Sequence, residues 1–328
     1  MYMRRRSRDT DDEFALIHAR VSRLDEEALR AWPLPMPCGD GDKEERGQAL
    51  IIAGSQQMPG TAILAAIGAL RAGAGKVTIA TNERMAPFVA AAVPEARVIG
   101  LRENAAGGFG AATARTLAQA ATKQDATLIG PGMVDESSVH DFVRAMLPRL
   151  QGSKVVLDAY AMGIVNMTSF PFTERAHRNV VDDGADGTDA SPFLLTPHAG
   201  EMAHLSGADK ASVTDDPMTT AADAAARWKA VVALKGAITH IAAADGRMWR
   251  HEGGSMGLGV SGSGDALAGI IVGLAARGAT LEQAAAWGVL MHARAGARLE
   301  SRFGPLGYRA AEIVDEIPAL MHGLRADR

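Results

Sequence analysis

Short apolar runs alternate with amphipathic, alanine-rich segments along most of the chain. The apolar runs predict strands at residues 49–53, 77–80, 97–101, 127–130, 155–158, 193–196, 231–234, 239–243 and 248–251. The segments with helical spacing predict helices at residues 61–72, 84–92, 111–121, 136–147, 219–228, 266–276, 281–299 and 310–321. Strands that alternate with helices in this way indicate a parallel sheet that is covered by helices on both faces.

Two features modify this simple alternation. Asp245-Gly246 separates the last two predicted strands, and an Asp-Gly pair between apolar runs is a strong hairpin signal. Residues 182–192 are rich in Asp, Gly and Ser, a composition that buries little apolar surface. We therefore predict a mostly parallel sheet that ends in an antiparallel hairpin, and an exposed, dispensable surface loop at 182–192.

The N-terminal region does not follow the strand and helix alternation. Residues 11–31 predict a single helix, which the proline run beginning at Pro33 ends. Its apolar stripe contains Phe14, Ile17, Leu24 and Leu29. We therefore predict an N-terminal extension over residues 1–42 with one helix, followed by one large α/β domain over residues 43–328.

Composition narrows the range of partners. The 328 residues are 47% hydrophobic, enough for a sizeable core, and the net charge of −4 argues against nucleic acid as the partner. The single cysteine permits no intramolecular disulfide, so we expect a reducing, cytoplasmic setting. No apolar run reaches the roughly 18 residues that a membrane helix requires. We expect a protein that acts on a small molecule and binds neither a membrane nor nucleic acid.

The strongest candidate for chemistry is the glycine-rich segment 253–264, which leads through Asp265 into a predicted helix. Unpaired amides and the helix dipole at such a start favour phosphate. Asp265 could then act as a general base for attack on that phosphate, or it could be an ordinary acid in the first turn. Matches to a dinucleotide fingerprint at 257–262 and to a nucleophile elbow at 253–257 lack the structural context that those motifs require.

Other candidate residues lie in loops that follow predicted strands. His198 and Glu201 follow one strand, Lys235 follows another, and Thr61 and Gly132 lie in strand-to-helix loops of small residues. Ligands of open α/β sheets bind at the carboxyl ends of strands, although each of these residues also has an ordinary structural explanation. The nine histidines show no metal-ligand spacing, so the sequence identifies no metal ligand and a zinc site is not expected.

Nine segments in order resemble the ADP-dependent NAD(P)H-hydrate dehydratases, a branch of the ribokinase-like superfamily. They are Lys43-(x3)-Gly47, Ile52-Ala53-Gly54-Ser55, Pro59-Gly60, Arg71-Ala72-Gly73-Ala74-Gly75, Gly130-Pro131-Gly132, Leu157-Asp158-Ala159, Thr196-Pro197-His198-Ala199-Gly200-Glu201-Met202, Leu234-Lys235-Gly236 with Thr239, and Gly262-Ser263-Gly264-Asp265 with Leu267-Ala268-Gly269. The most specific are the His-x-Gly-Glu and Gly-x-Gly-Asp segments. The resemblance covers residues 43 to about 300.

The resemblance implies a three-layer αβα ribokinase-like fold with a mostly parallel central sheet. It also implies that the 6-hydroxy hydrate of NADH or NADPH is dehydrated back to NAD(P)H, with ADP as phosphoryl donor (ATP is possible), Mg²⁺ as cofactor, and AMP and phosphate released. Asp265 would be the catalytic carboxylate. The implied nucleotide-binding residues are Lys235, Gly236, Ala237, Ile238, Thr239, Gly262, Ser263 and Gly264. The implied substrate-binding residues are Thr61, Gly132, His198 and Asp265.

Several positions depart from the family pattern and leave the substrate open. They are Glu44, Thr61, Tyr160, Ala199, Ser255 and Ser261. The alternatives are a kinase of the same superfamily acting on a vitamin precursor or sugar, and a nucleotide-binding sensor without catalysis. Residues 1–42 are too short for the epimerase domain that often precedes this module, so we expect a separate epimerase in the same pathway. We also expect a homo-oligomer.

Overall fold

The nine predicted apolar runs and one further segment form a ten-stranded sheet in the computed structural model, which describes residues 21–36, 44–167 and 193–324. The strands are β1 (Val21–Arg23), β2 (Gln48–Ile52), β3 (Lys76–Asn82), β4 (Arg97–Leu101), β5 (Ala126–Ile129), β6 (Lys154–Leu157), β7 (Phe193–Leu195), β8 (Val231–Leu234), β9 (Ile238–Ala242) and β10 (Met248–Glu252). Their order across the sheet is β1-β10-β9-β8-β7-β6-β5-β2-β3-β4.

The strand directions confirm a mostly parallel sheet with an antiparallel end. Strands β2 to β8 pair in parallel, whereas β9 runs antiparallel to both β8 and β10. The turn between β9 and β10 contains Gly246 with φ of +85°, and its amide donates to the Ala243 carbonyl at 3.0 Å. The hairpin predicted from Asp245-Gly246 is therefore present.

Helices cover both faces of the sheet and give three αβα layers, as predicted. They are α1 (Glu26–Ala31), α2 (Gly60–Arg71), α3 (Ala86–Ala92), α4 (Ala111–Ala114), α5 (Ala118–Ala121), α6 (Glu136–Met146), α7 (Ala199–Ser206), α8 (Lys210–Asp215), α9 (Pro217–Trp228), α10 (Ser263–Ala276), α11 (Leu281–Phe303) and α12 (Ala310–Gly323). Strand β2 shows how the layers arise, because alternate side chains of a strand point to opposite faces. Ile51 packs in the core under α2, α10 and α11, whereas Leu50 and Ile52 pack in the core under α6 and α9.

The N-terminal helix prediction is wrong in part. Val21–Arg23 form β1, which pairs in parallel with β10, and the Leu24 amide donates to the Arg250 carbonyl at 2.8 Å. The open edge of β10 supplies hydrogen bonds that the amphipathic pattern could not reveal. Among the described residues 21–31, the helical segment is Glu26–Ala31, with the Asp25 carboxylate as its N-cap. Residues 11–20 lie outside the described residues.

Some predictions were incomplete or cannot be compared with the structure. Helices α7 and α8 and the 3₁₀ segment Ala159–Asn166 were not predicted, and the predicted helix 111–121 is interrupted by a 3₁₀ turn at Arg115–Leu117. The loop at 182–192 and the proposed domain boundary at 42/43 lie outside the described residues, so both stay predictions. Within the described ranges, no helix is both long and apolar enough to cross a membrane.

Candidate active site

The glycine-rich segment ends at an uncapped start of α10. Gly262 has φ of +87°, and a side chain there would also collide with Leu64, because a Cβ would lie 2.5 Å from its Cδ1. No side chain caps α10, and the Ser263 amide donates to the Val260 carbonyl at 3.2 Å. The amides of Gly264 and Asp265 have no carbonyl four residues earlier within the helix. The start of α10 therefore has amide groups available for an anion, and phosphate binding there stays a prediction.

A cleft of about 570 Å³ opens in front of this helix start. This volume lies within the range usual for small-molecule sites. Of the predicted nucleotide-binding residues, the cleft is lined by Lys235, Gly236, Ala237, Thr239, Ser263 and Gly264. The predicted residues Ile238 and Gly262 belong to the same two segments but do not line the cleft. His198 lies at its edge, so the structure brings the Lys235 loop, the His198 loop and the α10 start together.

Three adjacent strands place a cluster of polar and charged side chains at the carboxyl end of the sheet. Asp158, Thr196 and Lys235 directly follow β6, β7 and β8, and the carboxyl ends of parallel strands meet at one edge. The Thr196 hydroxyl donates to Asp158 Oδ1 at 2.6 Å, and Lys235 Nζ lies 3.5 Å from the same oxygen. A Cβ on Gly264 would lie 3.6 Å from Lys235 Nζ, so the ammonium group sits directly beside the α10 start.

Asp265 is set up to exchange a proton near neutral pH. Burial raises the pKa of Asp265 from 3.8 to about 6; the negative charge of Asp158 adds to the rise, and the Lys235 ammonium opposes it. A general base works best when its pKa is near the working pH. The carboxylate of Asp265 is therefore mostly ionised at pH 7 and is still able to accept a proton.

His198 has a structural role as the N-cap of α7, one of the two roles that its position in the sequence allows. Its Nδ1 accepts hydrogen bonds from the amides of Gly200 and Glu201 at 3.0 and 3.1 Å, and Glu201 accepts from the His198 amide at 2.8 Å. This reciprocal pair caps the start of α7. Because Nδ1 accepts, the neutral ring carries its proton on Nε2. The side chain is 60% exposed, so Nε2–H remains able to meet a ligand.

Thr61 and Gly132 lie next to each other but not in the cleft lining. Gly132 has φ of +66°, and a Cβ there would lie 2.2 Å from the Thr61 hydroxyl. The Thr61 hydroxyl donates to the Met58 carbonyl at 2.9 Å at the first turn of α2. Leu64, one turn further along α2, touches the start of α10 near Asp265. The pair therefore lies at the start of α2, the helix whose Leu64 lies near Asp265.

Two residues beside the predicted ones received no role from the sequence. Asp158 was identified only as part of a motif, and its position after a buried strand was the signal that could have marked it. His292 lies on α11, and its Nε2 is 2.9 Å from the Ser263 hydroxyl oxygen. Burial lowers the pKa of His292 to about 4, so the ring is neutral. A single histidine in an alanine-rich helix gave no sequence signal.

The carboxylates of the site fit a magnesium ion that binds mainly through phosphates. Within the described residues, no cluster of three or more His, Cys, Asp or Glu side chains could hold a metal by itself. Magnesium usually keeps several waters and takes one or two carboxylates together with substrate phosphates. Asp158 and Asp265 are the carboxylates beside Lys235 that could supply such ligands.

Comparisons with known proteins agree with this geometry. A model of the NAD(P)H-hydrate dehydratase family matches residues 49–319. A Xanthomonas campestris protein named ADP-dependent (S)-NAD(P)H-hydrate dehydratase is 43% identical over 305 residues, which cover 93% of this chain and 98% of that protein. A Moorella thermoacetica protein named bifunctional NAD(P)H-hydrate repair enzyme is 34% identical over 300 residues, which cover 90% of this chain and 54% of that protein.

The fold has a counterpart of the same family among solved structures. The ADP/ATP-dependent NAD(P)H-hydrate dehydratase from Bacillus subtilis, co-crystallized with ATP and Mg²⁺, matches with a TM-score of 0.74 and 27% sequence identity. The match covers 93% of this chain and 99% of that chain. The family match over most of the chain, the 43% identical relative and this shared fold show that the chain belongs to the NAD(P)H-hydrate dehydratase family.

Proposed function

We propose that this protein uses ADP to dehydrate the 6-hydroxy hydrate of NADH or NADPH and so restores the reduced cofactor. The observation that carries the proposal is the position of Asp265, a carboxylate with a raised pKa at an uncapped helix start beside Lys235. The reaction requires both phosphate binding and proton removal, and the groups suited to each lie together at the start of α10. The 43% identical relative carries the name of this activity.

Phosphoryl transfer would begin with removal of the proton from the hydrate's hydroxyl group. Asp265 accepts that proton while the hydroxyl oxygen forms a bond to the terminal phosphorus of ADP. The bond between this phosphorus and the bridging oxygen breaks, and its electron pair leaves with AMP. The amides of Gly264 and Asp265 and the Lys235 ammonium stabilise the negative charge on the phosphoryl oxygens.

Dehydration would follow transfer. Phosphate is a better leaving group than hydroxide, so the carbon–oxygen bond of the phosphorylated hydrate breaks with loss of a proton from the neighbouring carbon. The products are NAD(P)H, AMP and inorganic phosphate. We propose that Thr61, Gly132 and His198 face the hydrate: Thr61 and Gly132 adjoin α2, whose Leu64 lies near Asp265, and His198 lines the cleft.

The nucleotide would lie along the cleft between the Lys235–Thr239 segment and the start of α10. Backbone groups and small residues line this part of the cleft, which allows the close approach of phosphate oxygens. We propose ADP as the donor, with ATP as a possible substitute, since the Bacillus subtilis relative was crystallized with ATP and Mg²⁺. When bound, Mg²⁺ would neutralise phosphate charge, with Asp158 and Asp265 as the available carboxylates.

The wider setting of the reaction is also a proposal. The substrates and the single cysteine favour the cytoplasm. The Moorella thermoacetica relative is called bifunctional, and this chain spans about half of its length. An epimerase that acts in the same pathway stays a prediction from the family resemblance. A homo-oligomer stays a prediction from the sequence.

The deciding experiment measures three products in one reaction. The protein is mixed with ADP, Mg²⁺ and hydrated NADH, and dihydronicotinamide absorbance, AMP and phosphate are followed together. We expect all three to appear in equal amounts. A stable phosphorylated product of another small molecule, without restored absorbance, would indicate the kinase alternative. Binding of ADP with no AMP formed would indicate a sensor and would contradict the proposal.

A further inference from the structure

The side chain of His292 joins the middle of α11 to the first residue of α10. Its Nε2 lies 2.9 Å from Ser263 Oγ and 3.1 Å from the Ser263 carbonyl oxygen. Both side chains line the cleft, yet Ser263 is only 5% exposed and His292 only 9%. Within residues 21–36, 44–167 and 193–324, the Ser263 hydroxyl has no other hydrogen-bond partner. The pair is therefore a preformed, largely buried contact in the lining of the nucleotide cleft.

The contact with the carbonyl oxygen assigns the ring proton of His292 to Nε2. A carbonyl oxygen can only accept, so the short contact with the Ser263 carbonyl requires a hydrogen on His292 Nε2. The neutral ring then shares this one N–H between the Ser263 carbonyl and Ser263 Oγ. Oγ accepts, and its own hydrogen is left without an acceptor in the described part of the protein. Since the imidazole occupies one side of Oγ, the hydroxyl hydrogen is free to point into the cleft.

We propose that the Ser263 hydroxyl donates a hydrogen bond to the terminal phosphate of ADP, and that His292 is the positioning residue that turns this hydroxyl toward the nucleotide. This inference rests on the proposed function, because it assigns the phosphate of ADP to the start of α10. The hydroxyl adds a side-chain donor to the backbone amides of Gly264 and Asp265 and to the Lys235 ammonium group. An ionised histidine at this place would add a second cation beside Lys235, whereas the neutral ring supplies only orientation.

The variants separate the donor from the residue that orients it. Ser263→Ala removes the hydroxyl, and His292→Leu removes the N–H that holds its oxygen. Loss of one hydrogen bond to a charged phosphate should weaken ADP binding about tenfold, while AMP, which lacks the terminal phosphate, should lose less than about twofold. Calorimetric titration of ADP and of AMP measures this ratio. In turnover assays, KM for ADP should rise more than kcat falls.

Conservative variants and a double variant test the coupling. Ser263→Thr keeps a hydroxyl and His292→Gln keeps an N–H donor, so both should retain most of the ADP affinity. The double variant Ser263→Ala with His292→Leu should bind ADP no more weakly than either single variant, because both remove the same interaction. Ser153→Ala is the matched control: it deletes a buried hydroxyl that contacts Thr127 at 2.9 Å, outside the cleft.

Three outcomes would overturn the inference. Equal weakening of ADP and AMP, additive losses in the double variant, or a lower melting temperature with unchanged ADP affinity would each show that the pair only ties α10 to α11. The affinities also separate this inference from the proposed function. A wild-type protein that binds ADP more tightly than AMP but does not convert hydrated NADH back to NADH would contradict the proposed reaction, while the variants would still decide the role of Ser263.

Discussion

The two faces of the sheet are packed in different ways, and the helix that carries Asp265 packs in the core of one of them. Between α2 and α10 the closest contacts involve glycine and alanine, and a Cβ on Gly269 would lie 2.2 Å from the Ala65 carbonyl oxygen. Under α6 the core contains large side chains, with the rings of Phe109 and Phe142 packed at 6.0 Å between centroids. The helix that starts at the candidate active site thus rests directly on the backbone of α2.

This difference indicates that one face contributes mainly to stability and the other to the positioning of Asp265. Backbone contact leaves α10 little freedom to shift, and catalysis is sensitive to displacements of about 1 Å. Large side chains bury more apolar area and contribute more to the free energy of unfolding per residue. They contact the neighbouring helices through side-chain atoms, which can shift more easily than backbone atoms. We therefore expect substitutions on the α6 face to change stability, and substitutions on the α10 face to change activity.

Phe142→Ala, on the face opposite α10, should give the largest change in the free energy of unfolding. Phe142 is fully buried, and truncation of such a ring typically costs about 3–5 kcal/mol of unfolding free energy because it leaves a cavity. Denaturant titration measures this loss. Below the melting transition, kcat and the affinity for ADP should stay within about twofold of wild type. A drop in kcat that parallels the lost stability would contradict the division between the faces.

Asp265→Asn should give the largest change in activity. The substitution keeps size and polarity but removes the base, so turnover should fall about 100-fold or more, while ADP affinity changes far less. Glu136→Gln is the matched control, since Glu136 is also an acid in the first turn of a helix, on the opposite face. It should leave turnover intact. Near-wild-type turnover of Asp265→Asn would mean that Asp265 is only a structural acid.

The pH dependence sharpens the same test. With a pKa of about 6, Asp265 is protonated as the pH falls, so wild-type turnover should drop about tenfold for each pH unit below 6. Because the folded-state pKa lies above the ordinary value of 3.8, Asp265 lowers stability as the pH rises from about 4 to 6, and the loss persists above 6. The free energy of unfolding of Asp265→Asn should therefore exceed that of wild type by about 1–2 kcal/mol at pH 8, and the two proteins should be nearly equally stable near pH 4.

Gly269→Ala should give a smaller loss of activity than Asp265→Asn. The added methyl group collides with the Ala65 carbonyl, so α10 must move at a cost of about 1–3 kcal/mol. We expect kcat to fall about tenfold because Asp265 moves with its helix. Gly323→Ala is the control, since a Cβ there meets nothing within 4 Å. Unchanged kcat in Gly269→Ala would show that α10 tolerates displacement.

Local signals were sufficient for most of the architecture. The strands were predicted because runs such as 231–234 are apolar throughout, which is typical of strands buried on both faces. The hairpin was predicted because Asp-Gly needs no tertiary contact to favour its turn. The start of α10 was predicted because a glycine-rich segment that runs directly into an apolar helix is typical of a phosphate-binding helix N-terminus. The motifs also identified Lys235 and Asp265 as residues of one site.

The sequence by itself therefore determined the fold class, the family and the segments that form the cleft, because these depend on periodicity and on residues close together in the chain. Only the tertiary structure showed that Val21–Arg23 join the sheet, since the partner strand lies more than 200 residues away. Only it revealed the raised pKa of Asp265, which depends on burial and on Asp158 from another strand. The pairing of His292 with Ser263 also needed the structure, because two helices must pack before a neutral ring can orient a hydroxyl group.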